Sequence, residues 1–191
     1  MWSPAEGSWA SAQDWFPGGD RVVAAVTDSA GTHAIVTVST VDGRVRPVRS
    51  VEWGRPPQVR VSPDGRYLAY SRSASREVPQ QDIFLVAVDG SSESVLVQHD
   101  ANDEVVAWSP GGTHLLFNSD RSGQPGLWAQ RLDHAEPAGE PDLLVSNVDV
   151  AGGMGVTRDG TLHYPVRVTR RRLKIAESTC RPAGCCANRS T

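Results

Sequence analysis

A turn motif recurs along this chain every 46 to 48 residues, and this repeat limits the possible folds more than any other feature. The turn positions are Pro17, Pro63, Pro110 and Arg158. The surrounding copies read WFPGGDRVVAAVTD, RVSPDGRYLAYSRS, WSPGGTHLLFNSD and VTRDGTLHYPVRV. An aspartate after an apolar run is a second landmark, found at Asp42, Asp89 and Asp133. Two landmarks in register at this period predict a stack of equivalent supersecondary units.

The second repeat predicts four short strands. Residues 59–61 form the first strand, and the Ser62-Pro63-Asp64-Gly65 stretch is a tight turn in which proline fixes φ and glycine accepts a positive φ. The other strands are predicted at 66–72, 82–88 and 94–99. The third is apolar on both faces, as a strand between two neighbouring sheets requires. Its faces are Ile83, Leu85 and Ala87 on one side and Phe84, Val86 and Val88 on the other.

Four antiparallel strands in a unit of this length are typical of a β-propeller blade. The predicted fold is therefore all-β, a β-propeller fragment of about three and a half four-stranded antiparallel blades. The repeats occupy residues 13–177, with blades starting near 13, 58, 105 and 153. Residues 1–12 are predicted to be the remnant of a preceding strand or blade. Residues 178–191 are predicted to be a disordered tail outside the repeats.

Several stretches resemble the WD-like propeller repeats of TolB-type bacterial proteins. They are Ser62–Tyr70, Trp108–Gly112, the loop Asn118–Gly123 and the pair Leu127-Trp128. The likeness covers residues 13–165. It implies a propeller, usually of six blades, that serves as a protein-interaction scaffold. It also implies a periplasmic or other extracytoplasmic location for the intact parent protein, although the chain starts without a signal peptide. Similar repeats also precede the catalytic domains of prolyl-oligopeptidase-like and tricorn-like peptidases.

The chain departs from this family in its number of blades and in its tail. Too few blades for a closed ring leave strand edges open, so we expect self-association or marginal stability. After Glu177 the apolar alternation stops, and Cys180, Cys185 and Cys186 are the only cysteines. The chain has 18 arginines against one lysine, which implies a GC-rich gene. The tail is therefore interpreted as the product of a truncated or frame-shifted gene.

The charge distribution argues against nucleic-acid binding. Residues 1–165 carry a net charge of −9, and residues 166–191 carry +6. A body this acidic is a poor partner for phosphates. No stretch of the sequence approaches the ~20 apolar residues of a membrane span. A protein or peptide is the predicted partner, with no nucleic acid and no membrane span.

No catalytic, cofactor-binding or metal-ligating residue is predicted. The Gly-x-Ser-x-Gly motif of serine hydrolases is missing, because residues 90–94 read GSSES. The five histidines are scattered, and the cysteine cluster lacks the spacing of a zinc site.

Asp120 and Arg121 are the only candidate binding residues. They lie in a polar loop between two strands, where they could face the central channel and hold a ligand. Alternatively, they cap backbone groups or bridge loops, as turn carboxylates and guanidiniums commonly do. Trp15, Trp108 and Trp128 occupy corresponding repeat positions and are expected to pack between blades.

The predicted function is a non-catalytic propeller scaffold for protein or peptide binding. The alternative is the gating propeller of a prolyl-oligopeptidase-like or tricorn-like peptidase that lacks its catalytic domain. A third possibility is the sensor module of a membrane-tethered regulator. The flanking domains of the intact gene would separate these three.

Overall fold

The computed structural model describes residues 6–52, 54–73, 75–150, 155–157 and 159–168. Within these ranges the chain consists of strands and turns, with no helix. The predicted tail at 178–191 and its cysteines lie outside the described residues.

Three antiparallel sheets follow one another along the chain, and each contains four main strands. Blade 1 contains β1 (Trp9–Trp15), β2 (Arg21–Thr27), β3 (His33–Ser39) and β4 (Val45–Val51). Blade 2 contains β5 (Val59–Val61), β6 (Tyr67–Ser73), β7 (Gln81–Ala87) and β8 (Glu93–Val97). Blade 3 contains β9 (Glu104–Trp108), β10 (His114–Ser119), β11 (Gly126–Asp133) and β13 (Asp142–Ser146), with the short β12 (Glu136–Pro137) paired to the end of β11. A two-stranded hairpin of β14 (Gly155–Val156) and β15 (Leu162–His163) comes last.

The predicted fold class is confirmed, since these sheets are the blades of a partial β-propeller. One boundary differs. The sequence predicts a remnant of a preceding strand or blade at 1–12, whereas β1 begins at Trp9, and Trp9 and Ala12 pair with Thr27 and Ala24. Residues 9–12 therefore belong to the inner strand of blade 1. Alternating apolar residues are missing from the WASAQDW stretch, which is why sequence periodicity did not reveal this strand.

The repeated turn has the same backbone conformation in each blade. Gly19, Gly65 and Gly112 all have φ of 70°. In blade 2 the Gly65 amide donates to the Ser62 carbonyl oxygen at 2.8 Å, which closes the turn. A left-handed φ is accessible to glycine at little cost, so the spacing of these glycines is a conformational repeat.

These turns also stack from blade to blade. A Cβ atom placed on Gly65 would lie 3.5 Å from the ring of Pro17, and one on Gly112 would lie 3.6 Å from Pro63. Gly65 and Gly112 therefore rest against the turn prolines of the preceding blades. The blades are in register, as the sequence spacing predicts.

Apolar cores lie between the blades. Phe84 and Val86 of β7 pack with blade 1, and Ile83 and Leu85 pack with blade 3. This confirms the prediction that the third strand is apolar on both faces. A third, smaller cluster joins blade 3 to the β14–β15 hairpin. Each blade hides its faces only by contacting its neighbours, which is the physical reason that repeats of this kind stack.

The three registered tryptophans differ in burial. Trp108 is only 8% exposed, and its Nε1 donates to the Arg60 carbonyl oxygen in blade 2 at 3.2 Å. Trp128 packs against the same core. Trp15, in contrast, is 62% exposed, so the expectation that it packs between blades is not met. Its face of blade 1 meets no other blade in the described part of the chain.

Candidate functional site

Arg121 lies in the β10–β11 loop and is engaged inside the protein. Its Nη2 lies 2.9 Å from Oδ2 of Asp103, and its Nε donates to Ser119 Oγ at 3.1 Å. The guanidinium also sits over the rings of Phe117 and Trp128, with its central carbon 5.0 and 5.2 Å from their centroids. Its charge is thus directed towards the protein.

Asp103 is the buried member of this pair. Its side chain is fully buried, and that of Arg121 is 10% exposed. Burial raises the pKa of Asp103, and the Ser119 hydroxyl and the Arg121 guanidinium act in the opposite direction. Burying a carboxylate is costly unless it is paired, so Arg121 supplies the charge that Asp103 requires.

Asp120 is exposed and ties two loops together. Its Oδ1 accepts a hydrogen bond from the Asn102 amide at 3.0 Å, which joins the β10–β11 loop to the β8–β9 loop. Its carbonyl oxygen accepts from the Gly123 amide at 2.8 Å. Asp120 and Arg121 therefore make the loop-bridging contacts that were the alternative to ligand binding. Ligand binding by these residues stays a prediction.

Arg60 connects the inner strands of all three blades, a role that sequence reasoning missed. Its Nε donates to the Val106 carbonyl oxygen in β9 at 2.8 Å. Its Nη1 donates to the carbonyl oxygens of Gln13 in β1 and Val59 in β5, at 3.2 and 2.9 Å. Burial lowers the pKa of Arg60, and the Asp14 carboxylate opposes this shift. The sequence pattern that could have revealed this role is a single arginine between two valines of a short inner strand.

A second polar network joins the outer parts of blades 1 and 2. The Tyr70 hydroxyl donates to Glu93 Oε1, and Arg49 Nη2 lies 2.7 Å from Glu93 Oε2. Arg72 lies 3.7 Å from the same oxygen and stacks on the Phe84 ring. Burial, together with the Glu93 carboxylate, raises the pKa of Tyr70 to about 12. This network holds the blades together.

An open cavity of about 710 Å³ lies between blades 2 and 3, at the end of the stack that carries the Pro-Gly turns. We call it the turn-face cavity. Its walls combine apolar and charged side chains, including Tyr67, Trp108, Leu132, Asp64, Arg66 and His134. His134 and Ala135 form one wall with φ of 49° and 67°, a conformation that non-glycine residues rarely adopt.

Sequence reasoning missed this cavity, although a signal was present. The link between β11 and β13 covers residues 134–141, whereas the link between β7 and β8 covers only 88–92. The longer link in blade 3 forms β12 and the turn that walls the cavity. Comparison of the repeats would have identified this insertion as the place where blade 3 differs.

Among the described residues there is neither a cluster of metal ligands nor a membrane-spanning helix. No group of three or more His, Cys, Asp or Glu side chains in this part of the chain is placed to hold a metal ion. No helix in the described ranges is long and apolar enough to cross a membrane.

Comparison with known proteins supports the fold. No model of a known protein family matches the chain. An uncharacterized protein of Agrobacterium fabrum is 26% identical over 102 residues, which cover 44% of this chain and 34% of that protein. TolB from Acinetobacter baumannii has a TM-score of 0.65 at 17% identity, over 82% of this chain and 40% of TolB. A puromycin-hydrolyzing peptidase of Mycobacterium tuberculosis has a TM-score of 0.61 at 18% identity, over 84% of this chain and 29% of the peptidase.

These likenesses show a TolB-like β-propeller fold. The chain spans well under half of the length of these three proteins. Because TolB and a peptidase resemble it about equally, the fold by itself does not select an activity.

Proposed function

We propose that the chain is a non-catalytic β-propeller scaffold that binds a protein or peptide segment in the turn-face cavity. The observation that carries this proposal is the mixed character of the cavity. Tyr67 and the exposed edges of Trp108 and Leu132 offer apolar surface, while Asp64 and Arg66 offer charges of both signs. Apolar surface supplies affinity, and a few fixed polar groups supply orientation, which is how clefts recognise peptides.

The rigid surroundings of the cavity support the same proposal. Trp108 lies on its wall and is held by the hydrogen bond to the Arg60 carbonyl oxygen. The turns on either side are fixed by the hydrogen bonds from Gly65 to Ser62 and from Gly112 to Ser109. A preformed site loses little conformational entropy on binding.

We also propose that the chain is a piece of a larger bacterial protein, from a truncated or frame-shifted gene. The chain covers only 40% of the length of TolB and 34% of the length of the Agrobacterium protein, which supports this proposal. Resequencing the gene tests it, because an intact stop codon with no propeller-like continuation in any frame would count against it. A downstream Gly-x-Ser-x-Gly segment would instead favour the gating propeller of a peptidase.

Peptide display against the 191-residue chain tests the binding proposal. We expect selected peptides to bind with micromolar dissociation constants, which a small cleft can provide. Thr113 is an exposed residue on the cavity wall, and Thr113→Trp fills the cavity. This variant is expected to weaken binding at least about tenfold, or about 1.4 kcal/mol.

Ser29→Trp is the matched control, because Ser29 is exposed in the β2–β3 loop at the opposite end of the strands. It should leave peptide affinity unchanged. The proposal fails if no peptide is enriched, or if every selected peptide binds the Thr113→Trp and wild-type chains equally.

A further inference from the structure

A second cavity, of about 490 Å³, lies between blades 1 and 2 at the end of the strands opposite the Pro-Gly turns. We call it the loop-face cavity. The β2–β3 loop, the link between β4 and β5, and the β6–β7 loop form its walls. Its polar and charged lining residues are Glu52, Arg55, Ser73, Ser75 and Arg76, and its larger apolar ones are Val78 and Pro79.

Ser73 is a buried residue whose hydroxyl group borders this cavity without a partner. It is only 5% exposed, and its side chain makes no hydrogen bond to a described residue. Its equivalents, ten residues after the turn prolines of blades 1 and 3, are Thr27 and Asp120. Thr27 Oγ1 lies 2.8 Å from His33 Nδ1, and Asp120 Oδ1 accepts from the Asn102 amide. Of the three equivalent side chains, that of Ser73 is the one left for a ligand, since buried polar groups normally have a partner.

Gly54 keeps the space at this hydroxyl group open. A Cβ atom on Gly54 would lie 3.4 Å from Ser73 Oγ, and both residues line the cavity. The φ of Gly54 is 96°, a conformation that other residues rarely adopt. Its carbonyl oxygen lies 3.1 Å from His33 Nε2, which fixes the link on blade 1. The site is therefore preformed on the side of the link.

Two guanidinium groups border the same cavity. Arg55 is 65% exposed and uses Nη2 on Glu104, which leaves its other N–H groups for a ligand. Arg76 is exposed and makes no ion pair with a described residue. It lies in the loop 74–80, which is longer than the equivalent loops at 28–32 and 120–125. The planar N–H groups of a guanidinium match the two oxygens of a carboxylate.

Glu52 limits the charge of a suitable ligand. Its side chain is exposed, borders the cavity and makes no ion pair with a described residue. Its carboxylate offsets one of the two guanidinium charges, and Glu104 already neutralises Arg55. A ligand with one negative charge is therefore favoured over one with two, because the second charge would be repelled by Glu52.

We propose that the loop-face cavity binds a small organic monocarboxylate. The carboxylate lies on the Ser73 hydroxyl group and the guanidinium groups of Arg55 and Arg76. The apolar part of the ligand lies against Val78, which is 41% exposed, and Pro79. The volume is within the range of about 300–1,000 Å³ that small-molecule sites occupy. This site is at the opposite end of the strands from the turn-face cavity and does not depend on peptide binding there.

NMR titration of the ¹⁵N-labelled 191-residue chain with N-acetylvaline tests the proposal. We expect a dissociation constant of about 1 mM, with shifts of the Gly31 and Gly54 amide signals. N-acetylvalinamide has the same shape without the charge and should bind at least about tenfold more weakly. Inorganic phosphate should also bind more weakly, because it carries more charge and has no apolar part.

Substitutions locate the site. Ser73→Ala and Arg76→Met should each raise the dissociation constant for N-acetylvaline at least about fivefold, because each removes a donor to the carboxylate. Glu52→Gln should lower it, because it removes a repelling charge. Arg44→Met is the control, since Arg44 is 67% exposed in the β3–β4 turn at the other end of the strands. It should leave the affinity unchanged.

Four results would each overturn the proposal: no binding of N-acetylvaline, equal binding of its amide, tighter binding of phosphate, or wild-type affinity in Arg76→Met. Circular dichroism checks the folding of each variant. If Ser73→Ala unfolds, the exposed Arg76 and Glu52 sites decide the outcome, since their substitution leaves the buried contacts intact.

Discussion

The variant Arg121→Met should lower the free energy of unfolding much more than a variant that removes the charge of an exposed arginine. Asp103 is fully buried and loses its only cationic partner within 4 Å among the described residues in Arg121→Met. Leaving one member of a buried pair unpaired costs about 3 kcal/mol or more. Methionine keeps part of the packing on Phe117 and Trp128, so the loss reports mainly the charge.

Arg44→Met is the matched control. Arg44 lies 4.0 Å from Asp42, and the two side chains are 67% and 54% exposed. A solvent-exposed pair of this kind contributes less than about 1 kcal/mol. The double variant Asp103→Leu/Arg121→Met removes both charges together and should lie within about 1 kcal/mol of the wild-type chain, because no unpaired charge is then buried.

Urea denaturation followed by circular dichroism measures these differences. With a denaturant slope of about 2 kcal/mol per molar, a loss of 3 kcal/mol lowers the midpoint by about 1.5 M. Equal midpoints for Arg121→Met and Arg44→Met would refute the structural role assigned to Arg121. In that case the arginine would be free to serve a ligand.

The pH dependence provides a second check on the same variant. Burial raises the pKa of Asp103, and loss of Arg121 removes a contribution that lowers it. A carboxyl with a raised folded-state pKa stabilises the fold below its unfolded-state pKa, and this contribution is lost as pH rises through the folded-state pKa. The stability gap between Arg121→Met and the wild-type chain should therefore be largest at pH 7 and shrink towards about pH 4. A gap that widens with acid would contradict the assignment.

Three further predictions follow from the blade contacts. Arg60→Met should lower the free energy of unfolding by about 2 kcal/mol, because three carbonyl oxygens lose their donor. Arg44→Met, at a side chain that is 67% exposed, should lower it by less than about 0.5 kcal/mol, and urea midpoints compare the two variants. Because the pKa of Tyr70 in the folded protein is about 12, its un-ionised hydroxyl stabilises the fold fully below pH 10 and less as pH rises through 12. Up to about 2 kcal/mol of stability is lost over that range, and Tyr70→Phe should remove that part of the alkaline decline in stability. Gly65→Ala should lower stability by about 1 kcal/mol because its φ is 70°, while Gly111→Ala, which has no positive φ and no nearby atom, should change it by less than about 0.5 kcal/mol; thermal melts compare the two.

The repeat carried most of the fold information. Proline and glycine at fixed offsets encode a local turn, and Phe84 and Ile83 encode opposite apolar faces, so the architecture could be predicted from the sequence alone. The start of blade 1 could not, because the residues before Gln13 alternate weakly and are defined by pairing with β2. Local patterns report strands, whereas strand pairing at an end depends on contacts distant in sequence.

The candidate site was less predictable than the fold. Asp120 and Arg121 were visible as polar loop residues, but their partners Asn102 and Asp103 lie 18 residues earlier in the chain. Whether a guanidinium faces a ligand or a buried carboxylate depends on that tertiary contact. The turn-face cavity likewise results from a longer link in one repeat meeting the turn of another blade, so only the assembled stack displays it.

The central claim is that successive repeats stack in register, and the indole N–H of Trp108 tests it most directly. This group donates across the boundary between blades 3 and 2, to the Arg60 carbonyl oxygen. Hydrogen exchange followed by NMR on tryptophan-labelled protein, with Trp108→Phe to assign the signal, gives its rate. The account predicts exchange at least about 100-fold slower than for free indole. Exchange at the free-indole rate in an otherwise folded chain would contradict it.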